Sequence, residues 1–272
     1  MMPNKYTNLL FSLISFIFII LIWWFFAATR FSETGIIPTP LATIGLIWEE
    51  ARKDSFFDAI YNTLKRSFFG FALSFAAAAL FASLASYKKV IGNLVNPFIV
   101  ICRSMPTIAL ILILLLVVGS NMLPVAVSFL VVFPLCYENM RVAISEIDKK
   151  LITMAKVFKI PMWRQITGIY LPAVLPFVFS SIIAGFGLNI KVVIAAEVMG
   201  LPSISIGYQI LSAKQGFDFG KSFAWLAIAV LLSLICETAL KIICRLCMPY
   251  KFPDYKKIKG FVKYISKKIG KD

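Results

Sequence analysis

SMPTIALILILLLVVGSNMLPVAVSFLVVFPLCY, Ser104 to Tyr137, runs for 34 residues without Asp, Glu, Lys or Arg. A helix needs about 20 apolar residues to cross hydrocarbon, so this stretch is too long for one crossing. Gly119-Ser120-Asn121, with Pro124 just beyond, supplies a turn signal near its middle. The stretch therefore reads as two successive spans, 104–118 and 123–140. That reading makes the chain an all-α integral membrane protein.

The remaining sequence agrees. Of the 272 residues, 60% are hydrophobic and 15% are charged. Soluble domains carry about 25% charged residues, and here the deficit is gathered into charge-free runs. Leu9 to Ala28 is one such run. It is longer than the core of a secretory signal, about 7–15 residues, so it is expected to be an uncleaved span, 9–28. Ser67 to Tyr87 gives a second, 67–87, whose Gly70 and Ala76–Ala79 imply close helix packing. Further spans are expected at 172–191 and 223–240, making six.

Basic residues set the orientation, because Lys and Arg gather on the cytoplasmic side. With both termini inside, 20 of the 28 basic residues fall in cytoplasmic segments. The net charge of +15 follows from that bias, so no nucleic-acid partner is needed. The tail, 248–272, is rich in lysine and spaces Ile258, Phe261, Ile265 and Ile269 as a helix would. It suits either an anionic leaflet or a solvated, topology-setting end.

Several chemistries are disfavoured. The chain has no histidine, hence none of the commonest general base and metal ligand. It has no phosphate-binding loop for ATP. Cys244 and Cys247 form a C-x-x-C, but no second pair completes a zinc site, so they read as reduced thiols at a helix end. No metal site is expected.

Between spans four and five lies a basic segment, 149–163. Leu151, Met154, Ala155 and Phe158 make an apolar stripe, with Lys149, Lys150, Lys156 and Lys159 around it. Pro161 is expected to break this helix. A second short helix follows, with Trp163, Ile166, Ile169 and Tyr170 to one side. Such a segment, pinned to spans at both ends, suits docking into a partner's groove. It also suits lying on the headgroups, which the physics of the segment alone slightly favours.

At this point the residues resemble a known family. ABC importer permeases carry a cytoplasmic motif of E-A-A, three residues, glycine, nine residues, then I-x-L-P. Ile169, Leu171 and Pro172 match its end, Lys159 takes the glycine position, and Thr153, Met154 and Ala155 take the E-A-A positions. The glutamate and glycine are absent, and Pro161 is expected to supply the turn that the glycine usually makes. Pro38-Thr39-Pro40 after the first span, and Leu64-Lys65-Arg66 leading to Gly70-Phe71, resemble the nitrate/sulfonate/taurine-type branch. So does Lys191 to Ile210.

The resemblance implies a type I ABC importer permease fold in a bacterial inner membrane. It implies a homodimer forming the substrate pathway. Each copy would dock one ATPase of a cytoplasmic ATPase dimer through 149–163, with Leu151, Thr153, Met154, Ala155, Lys156, Phe158, Lys159, Pro161 and Trp163 in the contact. ATP and Mg would be held by that partner, with no cofactor on this chain. An extracytoplasmic binding protein would deliver a small solute, of the sulfonate, nitrate, taurine or vitamin-precursor type.

Ionisable residues in spans are functional candidates by default. Glu138 and Glu237 are expected near cytoplasmic ends, and Lys191 near the outer end of span five. Lys191 is a candidate to attract an anion in the pathway, or else it snorkels or pairs with Glu197. Arg103, Ser104, Asn189 and Glu197 are further pathway candidates. Two other functions stay open. A secondary transporter would need no ATPase but is expected to show similar halves, and no repeat is visible. An intramembrane enzyme would need paired acid–base groups, and the glutamates lie far apart.

Overall fold

The computed structural model describes residues 5–29 and 36–247; the basic tail and Arg30 fall outside them. Every regular element among the described residues is helical. The chain divides into a unit ending at Glu237 and another beginning at Thr238. The packing described below belongs to the first.

Helix α1, Lys5–Thr29, covers the first apolar run. The Trp23 indole N–H donates to the Pro38 carbonyl at 3.1 Å and so ties α1 to the following loop. Helix α2, Pro40–Ala51, starts where Thr39 caps it, accepting from the Ala42 N–H at 3.2 Å, with proline at the first position. Helices α3, Ser55–Tyr87, and α4, Lys89–Ser104, meet at Lys88, whose backbone is extended.

Pro106 forces Met105 out of helical geometry, which separates α4 from α5, Thr107–Ser145. Inside α5, Gly119 adopts φ 71° and ψ 171°, which no helix contains. Ile111 shares a buried cluster with Leu123 and Val127. A straight helix would hold Ile111 and Val127 about 24 Å apart, so the chain turns back at Gly119. The turn read from Gly119-Ser120-Asn121 is there.

Then come α6, Lys149–Val157, α7, Met162–Gln165, a π-turn at Ile166–Tyr170, and α8, Leu171–Gly200. Helix α9, Ile206–Gln215, and α10, Phe219–Cys247, complete the order. Four described helices are long and apolar enough to cross a membrane: Ser55–Tyr87, Thr107–Ser145, Met162–Gly200 and Phe219–Cys247.

These helices overrun the apolar windows read from the sequence. Charge ends a hydrocarbon segment without ending a helix, and α3 and α8 both continue through charged residues. Helix α4 also occupies 89–104, which reads as a cytoplasmic connection in the sequence. It buries Gly92, Ile99 and Cys102 against α3 and α5.

The core is a seam where α3, α5 and α8 meet. Ala78, Ala82 and Ala85 of α3 admit Phe133 and Tyr137 of α5, which lie fully or almost fully buried. Small residues bring the backbones close, as Gly70 and the alanine run implied. A Cβ on Gly70 would stand 2.4 Å from Ser128 Oγ, and one on Gly185 would stand 3.1 Å from Cys136 Sγ. A second cluster joins Ala59 of α3, Ile206 of α9, and Trp225 and Ile228 of α10.

Candidate coupling surface and pathway residues

Asp148 caps α6, its carboxylate accepting from the Lys150 N–H at 2.8 Å. The Thr153 hydroxyl donates back to the Lys149 carbonyl at 2.9 Å, so it faces its own helix. The helix ends at Val157, before the proline. Lys159 then takes φ 50°, a left-handed conformation. Its N–H reaches the Lys156 carbonyl at 3.1 Å, and the Ile160 N–H reaches the Ala155 carbonyl at 2.9 Å. That pair of bonds defines a Schellman turn, whose left-handed position ordinarily belongs to glycine.

The turn is therefore made at Lys159 itself, and the expectation that Pro161 makes it is corrected. Pro161 instead starts α7: its carbonyl accepts from the N–H groups of Arg164 and Gln165. The Gln165 side chain also donates to the Ile160 carbonyl at 2.7 Å.

Ala155 is fully buried, which fixes one side of α6. Around it the segment carries an exposed apolar patch. Phe158 is 73% exposed and Trp163 74%, and Leu151, Met154, Val157 and Met162 extend the patch. Val157 and Met162 were missed in the sequence because the apolar stripe was drawn through Ala155. Lys156 and Lys159 stay at the solvent-facing edge.

The π-turn joins this segment to α8. The Leu171 N–H bonds to the Ile166 carbonyl, five residues back. Pro172, with no N–H, cannot make the next ordinary helical bond, and one wide turn absorbs the mismatch. Ile169 is half-buried in that turn, with Leu171 exposed after it.

The pathway candidates fall in different settings. Asn189 is fully buried: its amide donates to the Ser67 carbonyl at 2.7 Å and accepts from the Ser128 hydroxyl. Glu197 is also fully buried. It accepts from the Thr63 hydroxyl at 2.8 Å, Arg66 at 3.1 Å and the Gly207 N–H at 3.4 Å. Thr63 in turn accepts from the Ile206 N–H at 3.1 Å. Both residues thus spend their polar atoms inside the fold. Within one copy Lys191 and Glu197 do not pair: α8 is continuous there, and Glu197 takes Arg66.

Arg103 pairs with Glu138; Arg103 is exposed and Glu138 half-buried, and Ser104 is exposed beside the break between α4 and α5. Lys191 is exposed on α8. Glu237 was expected near a cytoplasmic end, but a Cβ on Gly187 would lie 3.5 Å from its carboxylate, which puts it opposite the middle of α8.

Sequence reasoning missed a further cluster. Glu50 of α2 is buried, accepts from the Trp225 indole N–H at 3.1 Å, lies 3.8 Å from Lys221 and pairs with Lys53. Nothing in the local pattern around Glu50 marks it. Its partners lie 171 or more positions away, apart from Lys53.

Residues 70–246 match the family described as binding-protein-dependent transport system inner membrane component. The chain belongs to this family. It is an ABC transporter permease, a multi-pass membrane transport subunit. Among its relatives is an aliphatic sulfonates transport permease protein, SsuC, of Bacillus subtilis, 25% identical over 86% of this chain and 84% of that one. The nitrate import permease protein NrtB of Synechococcus elongatus is 26% identical over 68% of this chain and 70% of its own length. The permease is thus similar to permeases named for sulfonates and for nitrate.

Solved structures support the fold. A chain of a bacterial alginate ABC transporter, bound to its alginate-loaded periplasmic protein, superposes with a TM-score of 0.61. It shares 13% identity, over 91% of this permease and 99% of that chain. A chain of the MetNI methionine ABC transporter gives 0.54 at 17% identity, over 70% and 93%.

Proposed function

We propose that this permease is the membrane subunit of an importer, working as a homodimer around one substrate pathway. It has six spans, with both termini in the cytoplasm. A separate ATPase dimer docks on 149–163 and supplies ATP and Mg, and an extracytoplasmic binding protein delivers the solute. The solute is small, of the sulfonate, nitrate, taurine or vitamin-precursor type, in keeping with the names of the relatives. Lys191 faces the pathway and attracts an anion, and Arg103 and Ser104 lie toward its cytoplasmic end.

One observation carries this reading. A short, locally bonded helix–turn–helix holds Phe158 and Trp163 outward, and a single helical run links it to α8. Exposed aromatics on a polar, basic element suit a protein groove better than water. Docking that biases one of two packed arrangements would then pass through α8.

The test is purification of the tagged permease in gentle detergent from its native host. A stoichiometric ATPase is expected, and it is lost when Phe158 and Lys159 are changed. A stable permease without ATPase, still moving solute in vesicles lacking ATP, would sink the reading and leave a secondary transporter.

A further inference from the structure

Helix α2 has 12 residues, about 18 Å, and is too short to cross a membrane. Its sidedness is inverted for a helix in water. Thr43 and Glu50 are buried, with Leu46 and Ile47 half-buried beside them. Helical spacing puts these four on one side. Leu41, Ile44, Gly45 and Trp48 take the opposite side, where Leu41 is 77% exposed and Ile44 and Trp48 are 64% exposed. The carboxylate thus faces inward and the apolar side chains outward. A helix on a protein's aqueous surface carries the reverse pattern.

Two hydrogen bonds fix the depth of α2. Pro38, just before it, accepts from Trp23, which stands six residues from the end of α1 at Thr29, about 9 Å along the axis. Glu50, near its other end, accepts from Trp225, six residues from the start of α10 at Phe219, again about 9 Å. Helix α10 is long and apolar enough to cross a membrane, and α1 covers the first apolar run. Both ends of α2 therefore lie inside the ends of those helices. Interfacial helices sit at a comparable depth, about 5–10 Å into the headgroup and acyl boundary.

The outward side of α2 continues onto α3. Ile47 packs with Phe56, Ala59 and Ile60, so the inward sides of the two helices meet in one cluster. Phe57, Tyr61 and Phe68 turn away from that cluster and are exposed, on a helix long and apolar enough to span. Aromatic side chains so placed suit the membrane boundary. The Arg52 guanidinium lies 5.3 Å from the centre of the Trp48 ring, in cation–π contact. Its stem runs over the indole and lifts the charge toward phosphate level, as snorkelling arginines do. A protein that docks and leaves would expose this face to water between visits. Such transient faces are no more apolar than the surface around them, so a permanent lipid neighbour fits better.

We propose that α2 is an interfacial anchor. Leu41, Ile44 and Trp48 lie in the acyl boundary of one leaflet, and Arg52 meets phospholipid phosphates. Since Glu50 holds Trp225, the anchor also fixes the depth at which α10 enters. The proposal goes beyond the importer reading and stands without an ATPase.

The test uses the purified full-length permease in vesicles of phosphatidylethanolamine and phosphatidylglycerol. Leu41→Cys, Ile44→Cys, Gly45→Cys and Glu49→Cys are each labelled with a nitroxide, and the signal of the unsubstituted chain is subtracted. A Cβ at Gly45 meets nothing within 4 Å, so a label there disturbs no packing. Collision with oxygen reports lipid, and collision with a water-soluble nickel chelate reports water. The oxygen-to-nickel ratio is expected to be roughly threefold or more higher at 41, 44 and 45 than at 49, which lies at the edge of the face. Arg52→Glu should lower the ratio at 44, and Arg52→Lys should keep it.

A ratio at 41, 44 and 45 no higher than at 49 would put the face in water and overturn the proposal. Low collision with both reagents would overturn it too, since protein, such as a second copy of the chain, would then cover the face. A ratio at 44 that ignores Arg52→Glu would remove the phosphate contact.

Discussion

The Glu197 carboxylate meets the Arg66 guanidinium at 3.1 Å, across 131 positions of sequence, and is fully buried. Through Thr63 and the N–H groups of Ile206 and Gly207 it also holds the start of α9. A carboxylate at a helix N-terminus is favoured by the helix dipole. The ends of α3, α8 and α9 are therefore one electrostatic unit.

Removing one partner of this pair strands the other. Glu197→Ala is expected to destabilise the permease by about 3–5 kcal/mol, the cost of leaving a buried charge without its counter-ion. Thermal unfolding in detergent reads this directly. Glu197→Gln, which keeps the acceptor for Thr63, should lose less.

Lys159 sits at the left-handed position of the Schellman turn. Lys159→Gly removes the strain of a side chain there and should stabilise the segment by about 1 kcal/mol. Hydrogen exchange across 150–165 should slow. If exchange speeds up instead, the turn is not made as described.

Phe158 and Trp163 touch little of their own chain. Phe158→Ala and Trp163→Ala should leave the melting temperature unchanged while weakening ATPase binding tenfold or more, about 1.4 kcal/mol each. Equal loss of stability and of ATPase would mean the residues serve the fold.

Gly70 lies where a Cβ would strike Ser128 Oγ, the group that donates to Asn189. Gly70→Ala should cost about 1–3 kcal/mol through overpacking. Ser128→Gly in the same chain should recover part of that loss. A double-mutant cycle of unfolding energies tests the coupling. Strict additivity would show that the two helices are not in contact there.

Much of the fold could be read from charge alone. The run from Ser104 to Tyr137 gave both a membrane segment and its turn, because hydrocarbon length and glycine are local facts. Helix ends were not legible, since Arg66 and Glu197 look like the borders of spans until each is seen to neutralise the other. The segment 149–163 was visible by its amphipathic spacing. Its turn was misplaced because Pro161 is a stronger breaker on paper than Lys159. The Glu50–Trp225 contact was invisible for the plainest reason, that one sequence does not report which distant residues meet.

The π-turn at Ile166–Tyr170 has a consequence for azimuth. In an ordinary helix each residue advances the chain by about 100° around the axis; the wide turn takes up one residue more than an α-turn and so absorbs that angle. Asn189, Lys191 and Glu197 all lie on the same run, C-terminal to this turn. The compass bearing of Trp163 relative to those three residues is thus set by the five residues ITGIY. Deleting one of them should let the turn close as an ordinary one and keep that bearing, whereas a residue added to the regular part of α8 before Asn189 would turn the exposed apolar face by about 100° from the buried polar contacts.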